Sequence, residues 1–107
     1  MTNDDIWTQS LPKQFAEVLA RVDTASSMQD LLRDLMTEKE IIEISARLEA
    51  ARMLKSGKKY TEVTGVTKLS SRTIARISGW LNEGTGGYES AFKIIDAHHD
   101  HISPARD

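Results

Sequence analysis

The chain has 107 residues, 39% hydrophobic and 28% charged, with a formal net charge of −2. That describes one soluble globular domain of ordinary composition. It excludes disulfides and thiolate metal sites, because there is no cysteine. It also excludes a membrane span, because no apolar run approaches the needed length. The start, MTNDDIWTQS, is acidic and polar and does not read as a secretory leader. A cytoplasmic location is therefore expected. Two prolines and almost no β-branched alternation predict an all-α fold.

Residues 1–10 read as a flexible arm with Ile6 and Trp7 as its apolar anchors. Residues 11–97 read as one helical domain. Ser10-Leu11-Pro12 is a helix entry, with proline in the first turn. Phe15, Val18, Leu19 and Val22 make one apolar face, and Asp23–Ser26 breaks it. Met28, Leu31, Leu32, Leu35 and Met36 form a second helix. Its apolar stripe is wider than a short helix needs alone, which fits burial between several helices or between subunits. Thr37 with Glu40 is a capping box. It opens a helix of about Glu38–Lys55, with Ile41, Ile44, Leu48, Ala51 and Leu54 on one face. Ser56-Gly57 ends it, Gly57 being suited to a left-handed C′ position.

The stretch Tyr60–Leu81, YTEVTGVTKLSSRTIARISGWL, organises the rest. A short helix of about Tyr60–Val66 places Val63 and Val66 for one buried face. Thr67-Lys68-Leu69-Ser70 is a break, and Ser70 is a good N-cap for a second helix. Ile74, Ile77 and Leu81 then fall at helical spacing. The other face carries Ser71, Arg72, Thr73 and Arg76. Helix, turn and arginine-bearing second helix form a helix-turn-helix pattern. Arginine can pair with guanine in the major groove, and Ser or Thr can reach phosphates or base edges. Between Lys55 and Arg76 there are six basic residues (Lys55, Lys58, Lys59, Lys68, Arg72, Arg76) against one acid, Glu62. This is a basic island in an acidic chain. Asn82–Gly87 reads as a glycine-rich hinge. A last helix from about Tyr88 carries Tyr88, Ala91, Phe92 and Ile95, and residues 98–107 read as a flexible tail.

Several motifs in this order resemble the tryptophan-repressor-like family, in its YerC/YecD-type branch. They are RLEAARML after the capping box, the YTEV helix, TIAR and LNEGTGGYESA. The resemblance spans roughly Leu31–Phe92. It implies an intertwined all-α homodimer with a multi-helix TrpR-like fold, binding a pseudo-palindromic double-stranded operator. Thr61, Thr64, Ser71, Arg72, Thr73 and Arg76 would face the DNA. Lys68 stands where the family often has glycine, and Lys59 where a Ser or Thr cap would be expected. Both add positive charge where phosphates would lie.

The same resemblance bears on a ligand. In tryptophan-binding members two arginines bracket the indole, and their matches are Arg47 and Arg76. The small residue after the second arginine is Ile77 here, and the serine near the ligand's amino group is Trp80. Ile77 and Trp80 are expected to fill the pocket, so no tryptophan co-repressor and no cofactor are expected.

His98, His99 and His101 lack the partners of a metal site and read as a solvated tail. Glu38, Glu40 and Glu43 read as helix-start charges. No nucleophile–base pair, phosphate loop or HExxH motif occurs, so no enzymatic activity is expected. The reading is a sequence-specific DNA-binding transcriptional regulator, a repressor. Its contacts would come from Lys58, Lys59, Thr61, Thr64, Lys68, Ser70, Ser71, Arg72, Thr73 and Arg76. Two alternatives stand beside it: a transposase-associated DNA-binding subunit, and a helical protein-interaction module without DNA binding.

Overall fold

A computed structural model describes residues 3–101, with side chains from 6 to 98. Among these residues there is no strand. A 3-10 helix, Asn3–Thr8, precedes six α-helices. They are α1 (Ser10–Arg21), α2 (Ala25–Leu35), α3 (Glu38–Lys55), α4 (Tyr60–Thr67), α5 (Ser71–Glu83) and α6 (Gly87–His101). The chain divides into two compact units, one running to Ile42 and the other starting at Glu43.

In the first unit the arm expected over residues 1–10 contains the 3-10 helix, which packs on α1. Thr24 caps α2, its hydroxyl oxygen accepting the Ser27 N–H at 3.1 Å. The capping box at the start of α3 is reciprocal. Glu40 N–H donates to Thr37 Oγ1 at 3.1 Å, and Thr37 N–H donates to Glu40 Oε1 at 2.8 Å. Neither α1 nor α2 contains a buried residue. Leu11, Phe15, Val18 and Leu35 are all exposed, Leu11 by 74%.

The second unit holds a core of Ala50, Ala51 and Met53 from α3, Val63 from α4, and Ile74 and Ile77 from α5. Leu54, Leu69, Leu81, Tyr88 and Phe92 close over it. Two adjacent alanines let neighbouring helices come close to α3, and each fully buried aliphatic side chain contributes about 1.5–3 kcal/mol. Tyr88 and Phe92 stack, ring centroids 6.2 Å apart. Gly57 ends α3 at φ 91°, the left-handed turn expected of it.

Some expectations change. Ile44 is 53% exposed and Val66 60% exposed, so neither belongs to the core. The apolar residues of α3 run around its circumference, so spacing alone could not pick the covered side. Val66 is one turn past Val63, in the last turn of an eight-residue helix, and faces solvent there. The glycine-rich hinge contracts to Gly84–Gly86, because α5 runs to Glu83 and α6 begins at Gly87. Helix α6 continues to His101, past the expected start of the tail. The rest of that tail lies outside the described residues.

Candidate nucleic-acid interface

The interface lies wholly in the second unit. Val63, Ile74 and Ile77 fix α4 against α5, each at most 3% exposed. The turn between them is closed by several hydrogen bonds. Lys68 N–H donates to Thr64 O at 2.9 Å. Thr67 Oγ1 donates to Val63 O at 2.7 Å and accepts the Leu69 N–H at 3.3 Å. Lys68 itself sits at φ 66°, ψ 12°, in the left-handed region. Ser70 then caps α5 as expected. Its hydroxyl oxygen accepts the Thr73 N–H at 3.1 Å and its proton goes to Thr73 Oγ1.

On this frame Lys58, Lys59, Thr61, Lys68, Ser70, Ser71, Arg72 and Arg76 are exposed, and Thr64 and Thr73 are half-buried. Thr64 Oγ1 donates to Thr61 O at 2.9 Å, so its hydroxyl proton is committed within α4. Lys58 pairs loosely with Glu62 at 3.8 Å. Among the described residues Lys59, Lys68, Arg72 and Arg76 make no ion pair. Four unpaired cations on one helix-turn-helix leave a positive surface that a polyanion can neutralise.

Behind this surface, Arg47, Thr73, Arg76, Ile77, Trp80 and Tyr88 line a cavity of about 60 Å³. It brings together the two arginines and the two large residues singled out in the sequence. Ile77 is 3% exposed and belongs to the core, whereas Trp80 is 48% exposed. A wider hollow of about 550 Å³ opens beside it, lined by Ile44, Leu48 and Ala91 as well as Arg47, Trp80 and Tyr88. Two features here went unread in the sequence. Arg47 Nη2 donates to Glu43 Oε2 at 2.9 Å, an i,i+4 pair that helical spacing could have flagged. Gly84 leaves room for the indole, since a Cβ there would come 2.9 Å from Trp80 Cε3 and 2.3 Å from Trp80 O. The two are four residues apart at the C-terminal end of α5, so this too is a helical i,i+4 contact.

Among the described residues no cluster of His, Cys, Asp and Glu could hold a metal ion. Of the three histidines only the His98 side chain is described; those of His99 and His101 are not. No helix among these residues is long and apolar enough to cross a membrane.

An all-helical unit carrying a capped second helix and unpaired cations defines the class of helix-turn-helix proteins. The chain belongs to the Trp repressor protein family, whose profile matches residues 10–95. That membership suggests a DNA-binding regulator. The uncharacterised protein YerC of Bacillus subtilis (strain 168) is 34% identical over 95 residues, 89% of this chain and 90% of that protein. The crystal structure of a TrpR-like protein from Eubacterium eligens superposes with a TM-score of 0.78 at 26% identity, over 86% of this chain and 95% of its own. A Staphylococcus aureus structure, described provisionally as a Trp repressor, shares the fold. Its TM-score is 0.80 at 21% identity, over 90% of this chain and 96% of its own.

Proposed function

We propose that this protein is a cytoplasmic, homodimeric repressor that reads a pseudo-palindromic double-stranded operator without tryptophan as co-repressor. The observation that carries the reading is the set of unpaired cations Lys59, Lys68, Arg72 and Arg76 on α4, its turn and α5. Arg72 and Thr73, at the start of α5, supply base readout. Lys58, Lys59 and Lys68 supply salt-dependent phosphate affinity. Thr61, Thr64, Ser70, Ser71 and Arg76 complete the contact surface.

The dimer accounts for the first unit. Leu11, Phe15, Val18 and Leu35 form apolar surface that nothing in the described chain covers, and a second copy would bury it. The side chains beside α5 support independence from tryptophan. Ile77 and Trp80 add large side chains to the lining of the cavity that Arg47 and Arg76 share, about 60 Å³ in volume. Glu43 already supplies Arg47 with a carboxylate.

The test is a selection of genomic DNA fragments by the purified protein at two salt concentrations, without added ligand. A two-fold-symmetric enriched site is expected. Adding tryptophan is expected to leave both affinity and melting temperature unchanged. Binding only after tryptophan is added would overturn ligand independence. The absence of salt-dependent binding under both conditions would overturn the DNA reading.

A further inference from the structure

We infer that α4 is held between two lysines, Lys59 and Lys68, that cost the fold stability and are retained because each engages a separate DNA phosphate. The inference rests on the DNA-binding reading above and adds to it how the first helix of the motif meets the duplex backbone.

Lys68 is the only non-glycine residue at positive φ among the described residues. Glycine occupies that region freely, whereas a residue with a Cβ is strained there. The strain persists because the surroundings over-determine the turn. Lys68 N–H is tied to Thr64 O, and the Thr67 hydroxyl bridges Val63 O and the Leu69 N–H. Strain held in this way collects at functional positions.

Lys59 shows the same pattern at the other end of α4. Its backbone, φ −76° and ψ 152°, nearly matches that of Ser70, φ −69° and ψ 157°. Ser70 caps α5 with its side chain, and Lys59 forms no side-chain cap. Lysine has no acceptor to offer, and its charge opposes the positive end of the helix dipole. Thr24 on α2, Thr37 on α3 and Ser70 on α5 supply side-chain caps, whereas Gln9 on α1, like Lys59, does not. Of these two uncapped starts, only Lys59 places a cation at the helix N-terminus.

Both lysines are exposed and free of acidic partners among the described residues. Nine residue steps at helical rise set their backbones roughly 13 Å apart, at opposite ends of α4. With each on its own phosphate, their contributions to the salt dependence add.

The experiment compares wild type with Lys59→Ser, Lys68→Gly, the double variant and Lys68→Arg. Melting is measured without DNA, and affinity for the selected fragment across a salt series. Lys59→Ser and Lys68→Gly are each expected to raise Tm by roughly 4–8 °C. Each is also expected to flatten the log–log salt slope by about one unit per protomer, and the double variant by about two. Lys68→Arg keeps the charge and the strain, so both values should stay at wild type. Tm rising while the slopes hold would show that the lysines are merely tolerated, and would overturn the inference. Slopes falling with no rise in Tm would overturn it too, by removing the cost. A wild type without salt-dependent binding would sink the functional reading itself. That appears in the wild-type titration before any variant is made.

Discussion

The two units of this chain are built on opposite terms. Up to Ile42 there are eight acids and four bases, a net charge of −4; from Glu43 there are eight acids and ten bases, a net charge of +2. The first unit has wide apolar faces on α1 and α2 and no buried side chain on either. The second has six core residues and a surface of unpaired cations. An amphipathic helix gains its stability by covering its apolar face. The second unit meets that condition within one chain and the first does not. The proposed association and the proposed DNA contact thus fall to different parts of the molecule, and variants can separate them.

The largest expected effect is in the first unit. Phe15→Glu places a charge on the face assigned to the second copy. Each residue there counts twice in a symmetric pair, so about 3–6 kcal/mol of association is lost. Sedimentation should show monomer, and Tm should no longer depend on protein concentration. An unchanged dimer would mean that α1 is not at the interface. Next comes Ile74→Ala in the second unit. Ile74 is fully buried, and the truncation should cost about 2–5 kcal/mol in denaturant unfolding. A loss well under that range would show that the core of the second unit is softer than its burial suggests.

Arg72→Ala sharpens the comparison from the ligand side. It should cost about 1–3 kcal/mol on the selected site and relax preference at one base position, while Tm without DNA holds. A loss that is uniform across sequences would move Arg72 from base readout to the phosphates.

How far the sequence carried these assignments differs between the units. The helix-turn-helix was legible because its signals are local: Ser70 three residues before Thr73, Ile74 and Ile77 one turn apart, Lys68 where glycine is easier. The capping box at Thr37 was legible for the same reason. Ile44 and Val66 were misplaced because periodicity marks an apolar face without saying whether anything covers it. Around α3, with apolar residues on most sides, it does not mark even that. The Lys55–Glu89 pair, 34 residues apart, is a product of tertiary packing, whereas the close approach of Gly84 to Trp80 is local to the end of α5. In the first unit the width of the stripe from Met28 to Met36 was visible. Met28, Leu31, Leu32 and Met36 are half-buried within the chain and Leu35 is exposed, so that width reflects packing inside the unit as well as a face left for a second copy.

The smallest effect concerns that Lys55–Glu89 pair. Lys55 Nζ lies 2.7 Å from Glu89 Oε2 and joins the end of α3 to the start of α6. Its short distance suggests an important clamp. However, both side chains are about half exposed, 57% and 46%, and water screens such pairs to at most about 1 kcal/mol. What holds α6 is instead the packing of Tyr88 and Phe92 against the core. Lys55→Ala should therefore lower stability by under about 1 kcal/mol, and by less still in high salt. Phe92→Ala should cost several times more. If high salt destabilised the wild type as much as Phe92→Ala does, α6 would be held by charge. The second unit would then be less self-sufficient than its core implies.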